Sequence, residues 1–507
     1  MRTSRLVGPL AGLLAAAVGL GVAQLFAGAL HPAASPVYAV GQAAIDLTPP
    51  GAKNFAIGTF GTSDKAVLLT GMLIVLAAYA AALGSAATRR LAYGMAGIAV
   101  FGAVGVVAAL SRPGATASDA VPTLAGTAVA ALTLRALLRH RPEDVPNDAV
   151  PLGIDRRRFL VAGAAALGTA SIAGLAGGAL AKRFDVASAR AAVRLPRPSA
   201  PISGLPAGVD LRIPGLSRFV TPNSAFYRVD TALLVPQVSP HSWRLRIHGM
   251  VQREVVIDFD QLLRLPLVED YITLCCVSDP VSGPYIGNAR WLGARLAPLL
   301  RKAGVRAGAD QLLCTSSDGF TSGTPVEIVM DGRDALLAVG MNGTPLPVAH
   351  GFPARLVVPG LYGYVSATKW LTDIEVTTFA RSDAYWVERG WSQQAAIKTE
   401  SRIDVPGDGT KLKAGPTNVA GVAWAQHKGI DAVEVRVDRG PWQRARLATV
   451  PGIDTWRQWV WQWDATPGRH RIEARATDAT GYTQTASIAP PEPDGATGYP
   501  TINVQVG

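Results

Sequence analysis

The first 185 residues carry five long apolar stretches: Leu6–Leu30, Ala66–Thr88, Leu91–Leu110, Ala120–Leu134 and Phe159–Ala181. Their interiors hold no Asp, Glu, Lys or Arg. Most approach the ~20 apolar residues that a bilayer-crossing helix needs, and Ala120–Leu134 is the shortest. Beyond residue 185 the pattern changes. Residues 186–215, rich in Ala, Pro and Arg, read as a linker. Trp243-Arg-Leu-Arg-Ile247 alternates like a half-buried strand, and Asp258–Leu265 predicts a short helix. Tyr271–Cys276 is apolar and β-prone and runs into the turn-forming Val277-Ser-Asp-Pro-Val-Ser-Gly-Pro284; Leu292–Ala303 predicts a helix ending near Gly304. Period-two alternation returns in Val433-Val435-Val437, Trp459-Trp461-Trp463, Ile472-Ala474-Ala476 and Ile502-Val504-Val506, with Asp438-Arg-Gly440 as a turn, which predicts an antiparallel β-sandwich.

Composition supports a chain that is in part membrane-embedded. Of its 507 residues 49% are apolar and only 17% charged, and the length provides for more than one core. Basic residues fix a topology. With Arg2 and Arg5 inside, Arg89, Arg90, Arg135, Arg139, Arg141 and Arg156–Arg158 also fall inside, while Lys53, Lys65 and Arg112 fall outside. The fifth span then delivers everything after about residue 185 to the extracytoplasmic side of the cell membrane. The net charge of +11 sits largely in these clusters, so no nucleic-acid footprint is expected. Asp155-Arg-Arg-Arg-Phe-Leu160 before an Ala/Gly-rich run resembles a twin-arginine export signal, and a positive-inside anchor explains it equally well. His31 and His140 fall at opposite ends of this topology and no Cys-x-x-Cys-His occurs, so the spans read as an anchor or docking surface instead of a haem bundle.

Candidate chemistry lies in the second half. Three cysteines, two of them adjacent, make no disulfide framework. Cys276 falls where a strand enters a loop; Cys275, its neighbour, points the opposite way on an extended strand, and Cys314 reads as a buried strand residue. The stretch Asn342–Lys369 is dense in constrained residues, with His350 and Arg355 on a loop that feeds an apolar strand and a Gly-rich turn. Glycines allow close backbone approach and arginine grips phosphate bidentately, so an anionic ligand and a purely structural loop are both consistent with it.

Taken together, Thr221-Pro-Asn-Ser-Ala-Phe-Tyr-Arg-Val-Asp-Thr231, Thr273-Leu-Cys-Cys-Val-Ser278, Asn342-Gly-Thr-Pro-Leu-Pro347, His350-Gly-Phe-Pro-Ala-Arg-Leu-Val-Val-Pro-Gly360 and Lys369-Trp370 resemble the sulfite oxidase family of molybdopterin enzymes over roughly residues 205–507. The resemblance implies a molybdenum–molybdopterin cofactor with Cys276 as the protein's metal ligand, a task suited to a soft thiolate. It implies that Arg355 and Lys369 hold the pterin phosphate, that His350 bonds the ring system or tail, that Asn223, Tyr227 and Arg228 line the other side, and that the backbone of Ala367 and Thr368 completes the cradle. It also implies an immunoglobulin-like C-terminal module and a homodimer through it. The expected fold is multi-domain: a transmembrane α-helical bundle, a mixed α+β cofactor domain, and an all-β sandwich. The expected boundaries are 1–140 for four spans, 141–185 for the arginine motif and fifth span, 186–215 for the linker, 216–400 for the cofactor domain, and 401–507 for the sandwich.

The chain departs from the family around the substrate. The loop after Cys276 reads Val277-Ser-Asp279-Pro280-Val281, without the family's amide and paired arginines; Glu388 takes the position of the substrate tyrosine, and the C-terminal arginine's position falls near Thr501. Cys276, Arg228 and Glu388 are therefore the candidate catalytic residues. A cage stripped of arginines suits a neutral or zwitterionic small molecule better than a dianion. The expected activity is oxygen-atom transfer on a sulfite-like or sulfoxide-like substrate, with electrons exchanged with a separate cytochrome or the quinone pool. The alternative is a membrane-tethered binding protein with a vestigial cofactor site.

Overall fold

The computed structural model describes residues 4–49, 51–52, 55, 59–60, 64–138, 153–202 and 204–507. Arg2, Lys53, Arg139, His140 and Arg141 lie outside the described residues. The chain divides into two compact units, one of residues 1–185 with 231–237, the other of residues 186–230 with 238–507.

The first unit is helical. Five of its helices are long and apolar enough to cross a membrane: Leu6–Leu30, Lys65–Ala87, Leu91–Leu110, Ala117–Leu138 and Phe159–Ala192. These are the five stretches the hydropathy pattern predicts, the fourth and fifth extended at their ends. The helix Ser4–Leu30 is the hub, and its glycines bring backbones together. A side chain at Gly28 would strike the backbone of Gly177, one at Gly12 the backbone of Ala80, and one at Gly19 the Gly126 carbonyl at 2.8 Å. Small residues thus form the seams, while Ile74 (64% exposed) and Leu175 (77% exposed) point away from the bundle. The segment 231–237 joins this unit: Leu233 N donates to Gln42 Oε1 at 3.1 Å, and Lys65 Nζ donates to the Ala232 carbonyl at 2.5 Å.

The second unit is β-rich. Its first part holds two sheets. One orders Val255–Asp258, Arg244–Gly249, Leu371–Thr377, Gln311–Ser316 and Thr321–Pro325; the other pairs Leu267–Cys275 with Ile286–Arg295, and that strand with Leu336–Met341, to which Arg355–Val357 also pairs. Large side chains such as Trp243, Leu245, Leu300 and Ile374 fill the core between them. The sequence expectation of a helix from Leu292 fails in its first turn. Leu292–Arg295 completes the strand, with Gly293 opposite Ala338 and Ala294 opposite Leu337, and the helix spans Leu296–Ala303 before left-handed Gly304. The apolar run is continuous there because a strand buried on both faces passes directly into an amphipathic helix.

The stretch 186–215 is held against this unit. Arg190 donates to the carbonyls of Leu346 and Pro345, both at 2.6 Å, and Ser199 N donates to the Leu267 carbonyl at 2.8 Å.

The C-terminal part holds two sheets around one apolar core, with Val419, Ala423 and Trp459 from one meeting Val433, Ala474 and Ile502 from the other. The alternating segments of the sequence all become strands: Ile430–Val437, Arg457–Ala465, Gly468–Asp478 and Thr501–Val506. The predicted turn is present as well. Asp438 and Arg439 have φ of +52° and +59°, and Gly440 N donates to the Val437 carbonyl at 2.8 Å. This region buttresses the cysteine-bearing strand: Thr273 N donates to the Asp454 carbonyl (2.9 Å), its hydroxyl accepts from Trp456 N (2.8 Å), and its carbonyl accepts from Gln426 Nε2 (3.1 Å). Thr273 lies three residues before Cys276, so the strand end is anchored from outside its own sheet.

Candidate functional site

The strand Leu267–Cys275 ends at the paired cysteines, and the connection back to Ile286 is a closed loop. Cys276 N donates to the Tyr285 carbonyl (2.9 Å), Asp279 N donates to the Cys276 carbonyl (3.2 Å), and Tyr285 N donates to Asp279 Oδ1 (2.9 Å). The Asp279 side chain is turned inward to tie the loop, and a side chain at Gly283 would strike its carboxylate. The alternation of side chains separates the two thiols as expected. Cys275 is fully buried within the hydrophobic core, while Cys276, 9% exposed, has its Sγ 3.0 Å from Ser278 Oγ. Burial raises the pKa of both thiols, and hydrogen bonding from Ser278 opposes that rise at Cys276. Cys314 is a buried strand residue with its pKa pushed up to about 12 by burial.

A second cluster is cationic. Arg355 begins its strand at 5% exposure, donates to the carbonyls of His350 (3.2 Å) and Ala367 (3.0 Å), and lies over the Trp291 ring at 5.1 Å. No carboxylate pairs with it among the described residues, and burial drops its pKa to about 10. Lys369 stands beside it, with its pKa dropped to about 8 by burial against the opposing pull of Asp230. Asp230 takes Lys369 Nζ at 2.9 Å and Arg228 Nε at 2.7 Å. Gly351 separates the two buried cations: at φ +108°, a side chain there would meet Arg355 Cβ at 3.0 Å and Lys369 Cβ at 3.1 Å. His350 is buried and neutral, its pKa pushed to about 4 by burial and then by Arg355 and Lys369. It stands edge-on to Phe226 at 5.6 Å.

Tyr227 connects the clusters. Its ring stacks on Phe226 at 5.2 Å, its hydroxyl reaches the neighbourhood of Gly363 and the Cys275 carbonyl, and burial followed by the thiols holds its pKa well above the usual value. Asn223 is placed by Asn342, whose Nδ2 donates to Asn223 Oδ1 at 2.8 Å. The Ala367 N–H donates to the Gly363 carbonyl, and Thr368 is buried with its hydroxyl 2.6 Å from Ser322 Oγ. Glu388 is different. It lies on the short turn Val387–Arg389, its side chain is 61% exposed, and its ion pair is with Arg389. The acids that do crowd the thiol loop are Asp279 and Glu400, 5% and 8% exposed, with pKa values raised by burial to about 7 and about 8. Pattern reading missed Glu400 and Ser278 as site residues; Gly351, inside a run already singled out for its glycines, was within reach.

The residues fit a molybdopterin. A buried guanidinium without a carboxylate partner among the described residues, beside a second buried cation, suits an anion, and a thiol at a strand end, linked to them through Tyr227, offers a soft donor of the kind a molybdenum centre would take. A family profile described as "Oxidoreductase molybdopterin binding domain" matches residues 232–386. Sulfite oxidase of Gallus gallus is 31% identical over 326 residues, covering 54% of this chain and 70% of that protein. Mitochondrial sulfite oxidase of Mus musculus is 30% identical over 321 residues, covering 54% of this chain and 58% of that protein, so the chain spans little more than half the length of the mouse enzyme. Among solved structures, the sulfane dehydrogenase SoxCD of Paracoccus pantotrophus aligns with a TM-score of 0.48 at 25% identity, covering 53% of this chain and 75% of that one. The chain belongs to the sulfite oxidase family of molybdopterin-dependent oxidoreductases.

Proposed function

We propose that this protein is anchored in the cell membrane by its five apolar helices and performs oxygen-atom transfer on a neutral or zwitterionic small molecule outside the cytoplasm. Electrons pass to or from a separate carrier, a cytochrome or the quinone pool. The observation that carries the cofactor reading is Arg355: a buried guanidinium bonded, among the described residues, to carbonyls alone and facing a ring, with Lys369 across Gly351. In this reading Cys276 ligates the metal, Arg355, Lys369 and His350 hold the pterin phosphate and tail, and Asn223, Tyr227, Arg228 and the Ala367–Thr368 backbone line the rest. The bound cofactor supplies two-electron redox chemistry at one metal. The chain's own residues set who reaches it. The loop after Cys276, residues 277–285, carries no arginine, and the largely protonated Asp279 and Glu400 beside it add no positive charge, which favours substrates without a double negative charge. Glu388, exposed and paired with Arg389, contributes at most at the rim.

Export through the twin-arginine-like segment at residues 155–160 suits a domain loaded with cofactor before it crosses the membrane. The C-terminal sandwich fits an immunoglobulin-like module, and a homodimer through it follows by analogy.

Elemental analysis of the purified membrane protein tests the core of this reading. About one molybdenum and one pterin per wild-type chain are expected, with molybdenum and turnover lost in Cys276→Ser and turnover kept within a few-fold in Cys275→Ser. Equal loss in both variants removes Cys276 as the sole protein ligand. Wild-type protein without molybdenum, made in a host that assembles the cofactor, returns the chain to a tethered binding role. Sulfoxides turned over with higher kcat/KM than sulfite support the substrate class, and the reverse order refutes it.

A further inference from the structure

We infer that Ser278 tunes the metal ligand: its hydroxyl donates a hydrogen bond to the Cys276 sulfur and withdraws charge from it. This rests on the reading of Cys276 as the ligand.

The Sγ–Oγ separation is 3.0 Å, a distance at which either partner of a free thiol–alcohol pair can donate. A metal-bound thiolate has lost its proton and can only accept. The serine is then the donor by elimination. Two residues apart on an extended chain, Cys276 and Ser278 would lie roughly 7 Å apart along the strand. The loop brings them together because the chain folds back at once, with Asp279 N on the Cys276 carbonyl and Cys276 N on the Tyr285 carbonyl. The inward Asp279 carboxylate, tied to Tyr285 N, fixes the residue that follows Ser278. The hydroxyl is therefore held from both sides along the chain. The contrast with Cys275 is direct, since that thiol lies within the apolar core and, among the described residues, its hydrogen-bond partner is the Cys276 carbonyl, at 3.6 Å, and no hydroxyl.

Outer hydrogen bonds to ligating sulfur tune the metal by lowering the charge the sulfur donates, which favours the reduced metal. Ser278 is in these terms a positioning residue that acts through Cys276.

Its test is a redox titration of the molybdenum followed by EPR, in membrane-purified holoenzyme carrying Ser278→Ala or Ser278→Thr. The alanine variant is expected to bind molybdenum as wild type and to shift the midpoint downward. A threefold change in the one-electron equilibrium corresponds to roughly 30 mV. The threonine variant, which keeps the hydroxyl, is expected at the wild-type midpoint. An unchanged midpoint in alanine overturns the inference, and so does an equal shift in both variants, which marks a role in loop shape alone. Where the alanine variant fails to retain molybdenum, metal-free protein decides: iodoacetamide should alkylate Cys276, resolved by mass spectrometry, several-fold more slowly in alanine than in wild type or threonine. Equal rates overturn the inference. Molybdenum retained with an unaltered spectrum in Cys276→Ser is a failure of the ligand reading itself, and is seen without any Ser278 variant.

Discussion

The thiol loop, residues 276–285, and the cation clamp, residues 350–369, are both connections at strand ends, yet they are built on opposite electrostatics. The loop is closed on itself by a buried acid, Asp279, with a second acid, Glu400, behind it and Arg402 donating to the Gly283 carbonyl at 2.9 Å. The clamp buries two cations around a glycine, and one of them has no carboxylate partner among the described residues. The difference shows how one domain separates two tasks. On the reading proposed above, one end would serve a soft metal and an uncharged reactant, while the other would be satisfied by an anion.

The strongest way to break this comparison is Arg355→Met. Pterin and molybdenum retention should fall by about tenfold or more, the worth of a charge-assisted hydrogen bond. The metal-free protein should at the same time gain about 1–3 kcal/mol, because an unpaired buried charge is replaced by apolar volume. Cofactor retention measured by elemental analysis and stability measured by denaturant titration should thus move in opposite directions; a joint fall would mean that Arg355 is structural. Next in size is Gly351→Ala, which combines a left-handed backbone with two contacts near 3.0 Å and should cost about 1–3 kcal/mol. Gly363→Ala is its control. A side chain there meets nothing closer than 3.6 Å, and denaturant titration should place it within about 0.5 kcal/mol of wild type.

The smallest effect sharpens the acid side. Burial, and then Asp279, raise Glu400 to about 8 in the folded protein. Its unfolded value is the ordinary one near 4.5, so the folded state binds the extra proton between these values. The stability this contributes is complete below pH 4.5 and is lost as pH rises through about 8. Glu400→Gln should therefore raise the melting temperature at pH 8 relative to wild type, by roughly 2–4 °C for each kcal/mol recovered, with little change at pH 4. A variant that melts below wild type at pH 8 would show that the charged form is the stabilising one.

Much of this was legible in the sequence, for stated physical reasons. Period-two alternation marks strands because one face is buried, and it placed all four alternating segments of the C-terminal region correctly. Charge-free runs marked the long helices for the same kind of reason. A strand end at Cys276 followed from a β-prone run stopped by Pro280 and Gly283. What stayed hidden depends on contacts between distant positions. That Asp279 turns inward is decided by Tyr285 N, six residues on, and that Arg355 and Lys369 share Gly351 is decided by the sheet. The run from Leu292 predicts a helix because nothing in an apolar stretch shows where a doubly buried strand stops. Glu388 takes its place by resemblance to a family position, and a resemblance says nothing of exposure.

The glycine seam between the first helix and Gly153–Ala181 has a consequence for biogenesis. Gly28 waits for Gly177, about 150 residues later, and at ribosomal speeds that wait is at least roughly 8 s, longer still if the fifth helix is placed only after the domain that follows it has folded. During that time the hub helix has one flank open. Any nascent chain stalled before the fifth helix exposes a narrow groove of glycine and alanine, the kind of surface to which another small-residue helix can be matched. The bundle is completed from its two ends, and the helix that leads into the redox unit is the one that closes it.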